Sequence, residues 1–119
     1  MRRGKFASIV VPKEHPVHLW KREVARACTA DALLTKAVWM KLTFVMKRPK
    51  AKMWKTKEMP RYAHACKPDL DNLIKAAKDA LSEVLYKDDA QVWSMSASKV
   101  VADGEEGPHL EIQAYEEDA

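Results

Sequence analysis

The segment Lys67-Pro-Asp-Leu-Asp-Asn-Leu-Ile-Lys75 places two carboxylates two residues apart and a lysine four residues beyond the second. Pro68 disfavours helical backbone at Lys67, so a helix is expected to begin just after it. With Asp69 to Asp71 still extended, both side chains point to one side. In a helix they would stand about 200° apart and could not share an ion. Asp71 and Lys75, at i and i+4, share a helical face. Carboxylates about 4 Å apart repel by roughly 4 kcal/mol at an effective dielectric near 20. A hard divalent cation such as Mg²⁺ relieves that through oxygen ligands. Beside a phosphate it would polarise the ester and acidify a water for attack, and Lys75 would stabilise the developing negative charge. The plainer reading is a helix cap, since Asp is preferred there and capping contributes about 1 kcal/mol. A second acidic pair, Asp88-Asp89, shifts the balance toward an ion site.

The surrounding charge favours a polyanion as partner. Lys+Arg number 21 against 17 Asp+Glu, a formal net charge of +4. The excess is concentrated: Lys47, Arg48, Lys50, Lys52, Lys55 and Lys57 fall in one stretch without an acid, and Arg61 and Lys67 follow. Glu116-Glu117-Asp118, by contrast, is an acidic tail. Basic side chains around Trp54 suit phosphate contacts with stacking on a base. A solvated loop, with Trp54 folded back onto the core, is the alternative.

Elements must hold these residues in place. The 119 residues make one domain, 1–119, with enough apolar content for a core. Phe6 to Val11 reads as a strand, and His15 to about Ala30 repeats apolar residues at helical spacing. From Ala37 to Met46, Val38, Met40, Leu42, Phe44 and Met46 share one face of a half-buried strand. Lys47 to Cys66 is a long loop, a length that is usually functional. Leu70, Leu73, Ile74, Ala77, Leu81, Val84 and Leu85 form a helical stripe running to Tyr86. Trp93, Met95 and Ala97 alternate with serines in a strand, Gly104 to Pro108 is a turn, and Leu110, Ile112 and Ala114 mark a last strand. The order β-α-β-α-β-β predicts an α+β domain: a mixed sheet with helices packed on one face.

No apolar run approaches the roughly 20 residues of a membrane span, and the N-terminus lacks a signal-peptide core, so a soluble cytoplasmic protein is expected. Cys28 and Cys66 are expected to be reduced. His64 and Cys66 lack a second pair of soft ligands, which argues against zinc.

Lys67-Pro-Asp-Leu-Asp-Asn-Leu-Ile-Lys-Ala-Ala-Lys-Asp-Ala-Leu81, followed by Leu85-Tyr-Lys-Asp-Asp-Ala-Gln-Val92, closely resembles the RusA family of Holliday junction resolvases, common in prophages. The match is dense across about residues 64–99, and Ser98-Lys99 fits it too. The resemblance implies a homodimeric, Mg²⁺-dependent endonuclease, with Mn²⁺ as a substitute, that nicks four-way junction DNA symmetrically in recombination and repair. It implies Asp69, Asp71, Lys75 and Asp89 as the catalytic set, with Asp69, Asp71 and Asp89 on the metal. Asp89 is favoured over Asp88 because it directly precedes Ala-Gln-Val. The alternatives are a less selective flap or branched-DNA nuclease and a non-catalytic DNA-binding protein. The N-terminal third fits the family less well, because Pro12-Lys13 leads almost directly into the helix at His15.

Chain reach adds an expectation. A helix from Asp71 to Tyr86 would span roughly 24 Å, and Lys87 to Asp89 return by at most about 11 Å. Asp89 would then miss Asp69 and Asp71 of its own chain and meet those of a two-fold partner, making a composite site. A helix stopping near Leu81 would leave a linker long enough for a site within one chain.

Overall fold

The computed structural model describes residues 2–9, 33–54, 57–83 and 85–117. The helix expected from His15 to about Ala30, and with it Cys28, lies outside the described residues, as do Lys55 and Val84.

Five strands form one sheet in the order β1-β5-β2-β4-β3. Among the described residues they are β1 (Arg2–Ile9), β2 (Ala37–Met46), β3 (Tyr62–Ala63), β4 (Val92–Val101) and β5 (His109–Glu117), with one α-helix, α1 (Leu70–Leu81), between β3 and β4. The β2–β4 pair is parallel and the other pairs are antiparallel, so the sheet is mixed and the chain is α+β. Strand β2 has the bounds its alternation predicts. Strand β1 begins earlier than Phe6, and the long loop contains the two-residue β3 and a 3₁₀ turn at Lys50–Lys52.

The core follows from period-two burial. Val38, Met40, Leu42 and Phe44 of β2 pair with Glu116, Ala114, Ile112 and Leu110 of β5, which fixes one apolar face. Helix α1 lays Ala77, Ala80 and Leu81 into that face, and Leu70, Leu73 and Ile74 pack beside them. Burying one such leucine contributes about 1.5–3 kcal/mol, so this stripe sets the seat of the helix.

Three details depart from the sequence reading. The helix ends at Leu81: Ser82 is already extended and Glu83 has φ 67°, a left-handed conformation that stops propagation. Leu85 and Tyr86 are nevertheless buried, because Leu34 N donates to Leu85 O at 2.9 Å and Leu34 bridges Tyr86. Their place in the apolar stripe thus reflects a strand-like contact, not another helical turn.

Trp93 was expected beside Met95 and Ala97 on the buried face, yet it is 60% exposed. Val38 pairs with Val92 and Trp39 with Ser94, so Trp93 is the extra residue at a register shift, which re-aims its side chain.

The acidic tail is partly structural. Glu116 is buried, and its carboxylate accepts from Thr35 N at 2.7 Å and Lys36 N at 3.2 Å, which fastens the approach to β2.

Candidate active site

Asp69 is the residue preceding α1, with extended backbone (φ −69°, ψ 142°), and its side chain makes no capping hydrogen bond. Its position is that of a cap, but its carboxylate does not serve as one. Leu70 and Asp71 already lie in the first helical turn, so the extended alternation expected from Asp69 to Asp71 is not formed. Only Asp69 is extended, and a shared ion depends on its carboxylate standing outside the helical turn. Both carboxylates are exposed at the helix N-terminus, where the backbone dipole favours negative charge. Lys75 is exposed one turn further along.

The second acidic pair divides its labour. Asp88 opens a 3₁₀ turn at Asp89–Gln91, and its carboxylate accepts from Ala90 N at 3.0 Å. The Gln91 side-chain oxygen accepts from Asp88 N and Lys87 N, both at 2.8 Å, while its amide donates to Leu34 O and Lys36 O. Asp89 is left out of this exchange. Its Oδ1 is buried without a hydrogen-bond partner among the described residues. The same side chain faces the Tyr86 hydroxyl, which donates to Lys78 O at 3.0 Å. Burial first, then the Asp89 charge, hold the Tyr86 phenol well above its ordinary range.

Within one chain Asp69 stands just before the first turn of α1, whereas Asp89 faces Tyr86, whose hydroxyl meets the last turn. That hydroxyl is bonded to Lys78 O, and the nine residues from there back to Asp69 span about 13 Å along the helix axis. A second ruler agrees. Lys99 Nζ donates to Pro68 O at 2.6 Å, next to Asp69, and the strand from Val92 to Lys99 covers about 23 Å. The earlier chain-reach premise does not hold, because eight residues, Ser82 to Asp89, follow the helix and could extend about 28 Å. The separation comes instead from the fold: the bridges of Tyr86 to Ser82 and Leu34 turn the chain back beside the helix end.

The basic segment is built around one of its own members. Arg48 is buried, not a surface cation. Its guanidinium donates to Lys52 O at 2.7 Å, Pro60 O at 3.0 Å and Ala102 O at 3.2 Å. The rings of Trp54 and Tyr62 stand 5.2 Å and 5.4 Å from it. Trp54, 38% exposed, also lies 5.7 Å from Lys57 Nζ, so it folds onto the loop's own cations while staying partly exposed. Lys47, Lys50, Lys52, Lys57 and Lys67 are exposed.

Arg61 is likewise engaged internally. It donates to Glu106 at 2.6 and 2.7 Å and to Glu111 at 2.6 and 3.3 Å. These bonds push its own pKa up and hold the Glu106 carboxyl at about 2 and that of Glu111 below its ordinary value. Glu106, His109 and Glu111 bring potential ligand atoms within 4.8 Å of one another. The guanidinium already neutralises that cluster, so its donors are less available to a cation than those of Asp69 or Asp89. His64 Nε2 and Cys66 Sγ lie 3.3 Å apart but gain no third ligand among the described residues.

Sequence reasoning missed the engagement of Arg48, Arg61 and Gln91, whose partners lie up to 57 residues away. It also assigned no role to Lys99, a cation in the buried phase of β4 between Ala97 and Val101. A charge interrupting an apolar alternation is the signal that identifies it.

The family described as endodeoxyribonuclease RusA matches residues 2–115, and the chain belongs to that family. It is also 44% identical over 50 residues to "Uncharacterized protein YqaN" of Bacillus subtilis (strain 168). That stretch covers 42% of this chain and 33% of the relative, so the likeness spans about a third of the relative's length.

Proposed function

We propose that this chain is a Mg²⁺-dependent endodeoxyribonuclease that resolves four-way DNA junctions by paired symmetric nicks in the cytoplasm. Membership of the RusA family supports the class of reaction. The observation that carries the assignment of residues is the unspent carboxylates. Asp69 occupies a cap position without capping, and Asp89 keeps a buried, unpartnered oxygen, whereas the adjacent Asp88 is consumed by its turn.

An orphaned carboxylate oxygen and two exposed carboxylates form a hard, all-oxygen donor set that suits Mg²⁺, with Mn²⁺ as a substitute. Asp69, Asp71 and Asp89 would hold the ion, which supplies Lewis-acid polarisation of the scissile phosphate and activation of water. Lys75 places its ammonium on the Asp71 face, where it stabilises negative charge developing on the phosphate oxygens. The helix N-terminus adds backbone N–H groups toward the same anion. Lys47, Lys50, Lys52, Lys57 and Lys67 contact phosphates along the junction arms, and the partly exposed Trp54 ring stacks on an unpaired base.

The separation of Asp69 from Asp89 along the helix in one chain supports a composite site. A homodimer with an isologous two-fold interface brings Asp89 of one protomer to Asp69, Asp71 and Lys75 of its partner. Two such sites match the two cuts that a two-fold junction requires.

The test is incubation of four-way, flap and linear duplex DNA with the protein and Mg²⁺. Paired nicks at symmetric positions of the four-way junction are expected. Equal cutting of linear duplex would replace this reading with a general nuclease, and binding without metal-dependent cleavage would replace it with a DNA-binding protein.

A further inference from the structure

Lys99 sits where an apolar residue is due. The parallel register pairs Met40 with Met95, Leu42 with Ala97, Phe44 with Lys99 and Met46 with Val101, so Lys99 belongs to the core-facing row of β4. A lysine half-buried in that row is unfavourable unless its ammonium is fully used. Its Nζ donates to Cys66 O and to Pro68 O, and its own carbonyl accepts from His64 N at 3.0 Å. One residue thus fastens the segment 64–68 to the sheet at three points.

Pro68 O belongs to the peptide whose nitrogen is that of Asp69. Because the Asp69 side chain makes no capping bond, nothing in its own carboxylate fixes the first turn of α1. We propose that Lys99 is a positioning residue: its ammonium orients the peptide leading into Asp69 and so aims that carboxylate at the ion. This inference rests on the reading of Asp69 as a metal ligand. It assigns Lys99 no contact with DNA or with the reacting atoms.

The experiment measures Mn²⁺ binding by electron paramagnetic resonance, and the Mg²⁺ dependence of junction nicking, on the dimeric protein. The variants are Lys99→Met, Lys99→Gln and Lys99→Arg, with Asp69→Asn as reference. Loss of an orienting partner weakens metal affinity about 10–100-fold. Lys99→Met is therefore expected to raise the Mn²⁺ dissociation constant and the half-saturating Mg²⁺ by at least about tenfold, with metal-free junction binding unchanged. Lys99→Arg, which keeps the cation and its donors, is expected to restore both. Should Lys99→Met melt below the assay temperature, Lys99→Gln carries the same expectation. Wild-type metal affinity in Lys99→Met or Lys99→Gln, alongside a dead Asp69→Asn, would overturn the positioning role alone. Equal loss of affinity and of thermal stability in Lys99→Met and Lys99→Arg would reduce Lys99 to a structural prop. Full Mn²⁺ affinity and nicking in Asp69→Asn would overturn the metal-ligand reading and the role of Lys99 with it.

Discussion

Asp88 and Gln91 cap each other: the Asp88 carboxylate accepts from the backbone of the turn that Gln91 closes, and the Gln91 side-chain oxygen accepts from Asp88 N at 2.8 Å. This exchange makes two adjacent aspartates unequal. One is spent on the turn, and the other keeps one oxygen, Oδ1, without a hydrogen-bond partner among the described residues.

Substitution should expose that inequality. Asp89→Asn is expected to abolish nicking while leaving the melting temperature and junction binding close to wild type. Asp88→Ala is expected to retain nicking but to lose about 1 kcal/mol of stability, the usual cost of a deleted cap. Single-turnover nicking and denaturant unfolding of both variants separate the two effects. The reverse pattern would move the catalytic role to Asp88.

The basic residues should also fall into two groups. Lys50 and Lys52 are exposed, and each phosphate contact contributes about 0.9 to the log–log salt slope. Replacing both with alanine is expected to lower the slope by about 2 across junction and duplex DNA, without loss of fold. Arg48→Ala removes three hydrogen bonds to backbone carbonyls and two ring contacts. It is expected to cost about 2–4 kcal/mol in stability and to loosen the loop around Trp54. Salt-dependent binding isotherms and thermal melts on the same proteins would distinguish them.

The Arg61 network predicts a pH-dependent stability. Glu106 has its pKa lowered from 4.5 to about 2, chiefly by hydrogen bonds from Arg61. A depressed carboxyl contributes stability that is present above its unfolded pKa and lost as pH falls through the folded one. Glu111 is shifted the same way, again first by Arg61. Arg61→Ala is therefore expected to destabilise by on the order of 1 kcal/mol at pH 7, since the pair is partly screened by solvent. The difference should shrink as pH falls from about 4.5 toward 2 in chemical denaturation. A pH-independent difference would assign the effect to packing alone.

Much of this architecture was legible in the residues. The alternation of Val38 to Met46 and of Leu110 to Ala114 gave both central strands, since period-two burial depends only on neighbours along the chain. The helix start at Pro68-Asp69 was equally local. Its end was not: Leu85 continues the apolar stripe, and only the pairing of Leu34 with Tyr86 reveals that it is buried by another element. Trp93 misled for a related reason, because a register shift is a property of two strands together. The candidate site divides in the same way. Asp69, Asp71, Lys75 and Asp89 stand out by spacing. That Arg48 and Arg61 are spent within the fold depends chiefly on carbonyls and carboxylates 12 to 54 residues away, beyond the one local bond of Arg48 to Lys52 O, and no local pattern encodes those.

The central claim is that Asp69, Asp71 and Lys75 of one protomer work with Asp89 of the other, and mixing subunits tests it most directly. Asp71→Asn and Asp89→Asn proteins, each inactive alone, are combined so that heterodimers form and are verified by differential tags. Composite sites leave each heterodimer with one wholly intact site, and single-strand nicking of a four-way junction is the predicted result. Verified heterodimers that remain inactive would contradict the account and place all three aspartates in one chain.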